Sequence, residues 1–137
     1  MAFVLDASMT LAWYFPDEAT QQTNALRERL IEEEVVVPTH WALEVTNALL
    51  TALRRNRLGA DELDLLVVDL RQLAGEVDSH TQQRAWDKTL DIAGKYKLSA
   101  YDAAYLELAQ RRALPLATLD ARLRTACADA GVAVLPN

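Results

Sequence analysis

Four acids in this chain, Asp6, Glu44, Asp102 and Asp120, occupy positions that suit chemistry better than solvation. Asp6 and Asp120 each close a short apolar run, VLD and ATLD. Glu44 lies three residues after Trp41, four before Ala48 and eight before Ala52, which puts it on or beside the apolar stripe of a helix. Asp102 has Tyr105, Leu106 and Ala109 three, four and seven residues further on, so it too belongs to an inward face, close to a helix start. A buried carboxylate is costly unless a cation, a hydrogen-bond donor or a metal meets it. Several converging carboxylates repel one another unless a divalent ion sits among them. Oxygen-only donors select hard ions, so Mg²⁺ or Mn²⁺ is the expected occupant. The chemistry that most often needs such a site is phosphodiester hydrolysis, in which one ion lowers the pKa of the attacking water and a second, roughly 3.5–4 Å away, stabilises the leaving oxygen. Asn47, three residues past Glu44 on the same face, is placed to coordinate or to hold a water or a carboxylate.

These positions require strands that end at acids and helices that turn acids inward. Residues 2–6, 35–37, 114–119 and 132–135 are short apolar runs without polar alternation and are expected as buried strands, with a weaker candidate at 76–78. Helical spacing is expected over 17–33, starting at Asp17 and Glu18 after Pro16, and over 39–56, capped by Thr39. Further helices are expected over 60–73, over 81–95 with Trp86, Leu90 and Ala93 on the inner face, over 99–112 capped by Ser99, and from Asp120 to Gly131. Strands separated by helices predict a three-layer α/β/α domain around a parallel sheet of four or five strands, one domain over 1–137. In such sheets ligands sit beyond the carboxyl ends of the strands, the position of Asp6 and Asp120.

Composition narrows the classes further. Lys plus Arg number 14 against 20 Asp plus Glu, a net charge of −6, which excludes plain electrostatic wrapping of nucleic acid. A hydrophobic share of 51% excludes disorder, and the single Cys127 excludes a disulfide framework and a Cys-only zinc site. The N-terminus has no basic region ahead of an apolar core, so a cytoplasmic protein with no membrane association is expected.

In order along the chain, VLDAS at 4–8, WALEVTNAL at 41–49, SAYDAAYLELA at 99–109 and ATLD at 117–120 resemble the acidic motifs of the PIN domain, and among these the VapC toxins of bacterial toxin–antitoxin pairs. The resemblance covers nearly the whole chain. It implies a PIN-like fold with strand order 3-2-1-4-5 and a Mg²⁺- or Mn²⁺-dependent endoribonuclease acting on tRNA or rRNA and leaving 5′-phosphate and 3′-hydroxyl ends. It also implies a homodimer and a cognate antitoxin of the VapB type, one of whose basic residues enters the acidic pocket. Asp6, Glu44, Asp102 and Asp120 match the acidic tetrad, and Ser8, Asn47 and Thr118 the polar residues that accompany it. Asp6, Asp102 and Asp120 are the expected metal ligands, Glu44 acting directly or through water. Thr118, two residues before Asp120, is expected to orient that carboxylate. Where many relatives carry a further acid or Asn, Ala121, Arg122, Leu123 and Arg124 follow Asp120, so one tight ion, with another arriving on the substrate phosphate, is expected.

Two other classes fit the residues less well. A receiver-type signalling domain would pair adjacent acids after its first strand and place a Lys at a late strand end, whereas Asp6 stands alone and no Lys follows Lys97. A non-catalytic PIN-like scaffold would lack a tetrad acid. His40 is expected to be structural and Cys127 packed, since metal-activated water needs neither. Trp13, Tyr14 and Phe15 are expected to pack. Arg54, Arg55, Arg57, Arg111 and Arg112 complement helix ends. The apolar run Leu65, Leu66, Val67, Val68 and Leu70 is wider than one core face needs and suggests an interface.

Overall fold

Residues Ala2–Leu5 form the central strand (β1) of the computed structural model, which describes residues 1–137. Phe3, Val4 and Leu5 have no exposed surface, as strands covered on both faces require. On one side β1 pairs with Glu34–Val37 (β2), Phe3 opposite Val35 and Val4 opposite Val36, and beyond it lies Glu76–Val77 (β3). On the other side it pairs with Leu116–Ala117 (β4), Leu5 opposite Ala117, followed by Val134–Leu135 (β5). All pairs are parallel and the order is β3-β2-β1-β4-β5. The chain therefore winds outward in both directions from β1, and the crevice beyond the carboxyl ends of β1 and β4 is the switch point where such sheets bind ligands.

Helices cover the sheet. Ala7–Tyr14 (α1) follows β1 directly, with Asp6 as its N-cap, accepting from the Met9 amide at 2.9 Å. The sequence pattern predicts no helix there. ASMTLAWY is apolar on nearly every side, so it carries no stripe, and the segment is buried by neighbours rather than lying on a surface. The aromatic run packs as expected: Trp13 and Phe15 are buried, and the Trp13 indole donates to the Thr23 carbonyl at 2.8 Å.

The second helix, Gln21–Glu28 (α2), starts later than Asp17 because Thr20 and Thr23 form a reciprocal capping box. Asp17 and Glu18 instead pair with Arg57 at 3.0 Å each. Trp41–Arg54 (α3) begins after His40, and Thr39 does not cap it; the Thr39 amide donates to Thr81 Oγ1. Ala60–Leu73 (α4) lies where expected.

The expected helix over 81–95 is interrupted. Thr81–Arg84 (α5) passes through a π-helical turn, Ala85–Thr89, into Leu90–Tyr96 (α6). The wider turn shifts the phase of the following face. Leu90, the first residue past the turn, is accordingly 61% exposed while Ile92 is buried, and Trp86, within the turn, is 87% exposed; neither is on the expected inner face.

Ala100–Arg112 (α7) is the innermost helix, buried at every position from Ala103 to Ala109 and packed against β1, α6 and the last helix, Ala121–Ala130 (α8). Ser99 caps α7 by accepting from the Asp102 amide at 3.1 Å, and Gly131 ends α8 in the left-handed conformation that glycine favours. Arg111 and Arg112 do more than complement a helix end. Arg111 bridges Asp78 and Glu107 at 2.8 Å each, and Arg112 pairs with Glu76 at 2.7 Å, which ties α7 to β3. No helix is long and apolar enough to cross a membrane.

Candidate active site

Asp6 leaves the end of β1 into the switch-point crevice, where it is 4% exposed and surrounded by hydroxyl and amide donors. Oδ1 accepts from Ser8 Oγ at 2.8 Å and from the Met9 amide; Oδ2 accepts from Ser8 at 2.9 Å and from Thr118 Oγ1. Both hydroxyls are themselves fixed by backbone. The Leu119 amide donates to Ser8 at 2.9 Å and the Asp120 amide to Thr118 at 3.0 Å. Two short relays thus run from the loop after β4 to the carboxylate at the end of β1. Thr118 therefore does not orient the Asp120 carboxylate, as its spacing suggests; it receives the Asp120 backbone and holds Asp6.

Glu44 enters from α3, half-buried. The Tyr105 hydroxyl donates to its Oε1 at 2.6 Å, and His40 Nε2 lies 3.3 Å from the same oxygen and 3.0 Å from the Tyr101 carbonyl. The His40 ring packs edge-on against Tyr105 at 4.9 Å. The sequence pattern puts Tyr105 on the same face as Asp102 but does not join it to Glu44, which is 61 residues away. His40, one turn before Glu44, is the local signal for this cluster. Asn47 is exposed and makes no side-chain hydrogen bond to any of the four acids. Asp102 stands at the first turn of α7, and Asp120 caps α8 by accepting from the Leu123 amide at 2.9 Å.

The electrostatics show that these side chains face one another. Burial pushes Asp6 up to about 6, against the opposing effect of Thr118, Met9 and Ser8, with the Asp102 charge adding to the rise. Asp102 is raised by burial and then by the charges of Asp120 and Glu44. For Glu44 burial acts upward too, but hydrogen bonds from His40 and Tyr105 outweigh it and hold the carboxyl below the ordinary range. Tyr105 is pushed far up by burial and by the Glu44 bond, so it remains a donor.

No Lys or Arg pairs with any of the four acids; His40 beside Glu44 is the one cation-forming group in contact. The contrast within the molecule is direct, because the other two buried acids, Asp78 and Glu107, are both neutralised by Arg111. In their present rotamers no three of the acids are gathered tightly enough to enclose an ion. Their chemistry nonetheless fits a hard divalent cation: all donors are oxygen, Asp102 is raised by like charge, and Glu44 and Asp120 each have one carboxylate oxygen without a protein donor.

Comparison with known proteins agrees with this geometry. Residues 3–128 match the model of the PIN domain family. The chain is 31% identical to Ribonuclease VapC3 of Pyrobaculum aerophilum over 125 residues, 90% of this chain and 92% of that one. Among solved structures, PAE2754 of Pyrobaculum aerophilum superposes with a TM-score of 0.66 at 21% identity, covering 92% of this chain and 87% of that one. FitAcB of Neisseria gonorrhoeae superposes with a TM-score of 0.63 at 20% identity, covering 98% and 96%. Both likenesses concern the fold.

Proposed function

Because the chain belongs to the PIN domain family, we propose that it is a Mg²⁺- or Mn²⁺-dependent endoribonuclease of the VapC toxin type, held inactive by a cognate antitoxin. The observation that carries this reading is the pairing pattern of the buried and half-buried acids. Asp6, Glu44, Asp102 and Asp120 have no Lys or Arg partner, and Asp102 senses the charges of Asp120 and Glu44, while Asp78 and Glu107 are neutralised. The likeness to Ribonuclease VapC3 supports the choice of RNA and of the toxin type.

Asp6, Asp102 and Asp120 would hold the ion, with Glu44 reaching it directly or through water. Bound there, a divalent cation lowers the pKa of an attacking water and offsets charge on the scissile phosphate. The protein's own contribution is positional. Ser8, Thr118 and the Met9 amide hold Asp6 in one orientation, so the site need not order it when substrate arrives. Glu44, held below the ordinary carboxylate range, is ionised at neutral pH and is suited to orient a water by accepting from it; it cannot serve as a general acid. Attack in line with the leaving 3′-oxygen leaves 5′-phosphate and 3′-hydroxyl ends. The test is incubation with total tRNA and rRNA in Mg²⁺, Mn²⁺ or EDTA, with mapping of the new ends. No metal-dependent cut in either RNA contradicts the ribonuclease, and failure of a co-expressed neighbouring small protein to inhibit cleavage contradicts the toxin–antitoxin pairing.

A further inference from the structure

We infer that the cleft between α6 and α8 is the track along which the RNA backbone leaves the acidic site, its phosphates held by Lys95, Lys97 and Arg122. This rests on the ribonuclease reading and assigns the substrate's path. The cleft has a volume of about 570 Å³, with Lys95 and Lys97 on one wall and Arg122, Thr125 and Asp129 on the other. Both walls are continuous in the chain with segments that carry the acids. Arg122 is two residues past Asp120 in the same helix, and Lys97 is two residues before Ser99, which caps the helix that carries Asp102.

A site built of unneutralised acids in a chain of net charge −6 repels a polyanion, so productive binding needs local positive charge beside it. Several arginines are engaged elsewhere. Arg29, Arg57, Arg111 and Arg112 pair with carboxylates, and Arg27 and Arg124 donate to backbone carbonyls. Lys95, Lys97 and Arg122 are exposed and form no salt bridge, and Lys95 rests over the Tyr96 ring at 5.3 Å. Lys97 ends α6 at φ 56°, a left-handed position where glycine ordinarily stands, so its cationic side chain is not explained by the backbone. Asp129 lies seven residues past Arg122, about 10 Å along α8, and its charge marks the far end of the track.

The test is fluorescence anisotropy with a labelled, mixed-sequence single-stranded RNA, in Mg²⁺ and in an Asp102→Asn background so that the RNA stays whole. Replacing Lys95, Lys97 and Arg122 together by Ala should weaken binding about tenfold and lower the slope of log K on log salt by about 0.7 for each phosphate no longer neutralised. Asp129→Asn should tighten binding. Arg54→Ala with Arg55→Ala, at the far end of α3 from Glu44, should leave it unchanged. Unchanged affinity and slope in the triple variant overturn the track, and so does the same loss from the Arg54 and Arg55 pair. The cleavage assay separates the two claims. If the chain cuts RNA and the triple variant binds normally, the track fails and the ribonuclease stands; if the three cations carry RNA binding and no metal-dependent cut occurs, the ribonuclease fails and the cleft is an RNA-binding surface but not a path from a cleavage site.

Discussion

The Tyr105 hydroxyl stands 2.6 Å from Glu44 Oε1 and joins α7 to α3 across the mouth of the site. Tyr105 is 1% exposed, so its ring has no alternative position, and the bond transmits the rigidity of the innermost helix to a catalytic candidate. Tyr105→Phe removes that donor while keeping the ring. Glu44 should then titrate higher, and metal-dependent cleavage should fall about 10- to 100-fold, as removal of an orienting partner usually does. The pH–rate profile should move on its acid side, which a packing defect alone would not cause. A profile and rate equal to wild type would remove Tyr105 from the site.

Asp6 gives a stability prediction with a definite sign. Its carboxyl is raised from 3.8 to about 6, so between those values the folded chain binds more protons than the unfolded one. Stability therefore falls as pH rises through that window and stays lower above it, by about 3 kcal/mol. Asp6→Asn should melt several degrees higher than wild type at pH 8 in EDTA and lose that advantage near pH 4. Saturating Mg²⁺ should restore the wild type, because an ion that binds only the folded state stabilises it. A gap that does not depend on pH would contradict the assigned burial cost.

Arg111 makes the opposite case. Asp78 and Glu107 are 2% and 4% exposed and share its guanidinium, which holds Asp78 below its ordinary range. Arg111→Ala leaves Glu107 buried without a cation and Asp78 with only the longer contacts to Arg112 at 3.8 Å and His80 at 3.7 Å, and should cost about 3–5 kcal/mol, read as denaturant midpoint. Adding Asp78→Asn and Glu107→Gln to Arg111→Ala should recover part of that cost. A single variant as stable as wild type would show that α7 does not depend on this tie to β3.

The outer face of α4 bears on association. Leu65 and Val68, three residues apart, are 74% and 56% exposed, while Leu66 is buried. A homodimer through this face predicts a mass in light scattering of twice 15.3 kDa, and Leu65→Glu with Val68→Glu should give the monomer without lowering the melting temperature. A wild-type monomer at assay concentration would contradict it.

The four acids are legible in the sequence because strand ends and helix faces are local properties: Asp6 and Asp120 close apolar runs, and Glu44 and Asp102 share faces with buried residues. The strand order follows from the family resemblance. What stays hidden depends on partners distant in sequence or on a changed phase. Thr118 follows a strand of only two residues, Leu116–Ala117, and a spacing of two does not say which of two acids its hydroxyl meets. The Arg111–Asp78 pair spans 33 residues. Leu90 departs from its expected inner face because the π-helical turn before it rotates the face that a regular helix would keep. α1 escapes detection because it is apolar on nearly every side, with no fully exposed residue, and so shows no stripe.

Unneutralised carboxylates at the switch point are what would make this chain a metal-dependent ribonuclease. The most direct test is RNA cleavage by wild type and by Asp102→Asn, in Mg²⁺ and in EDTA, beside their melting curves. The predicted result is cleavage by wild type in Mg²⁺ only, and none by Asp102→Asn at a melting temperature that, in EDTA, is not below that of wild type. Cleavage that persists in EDTA, or that Asp102→Asn performs at the wild-type rate, would contradict it.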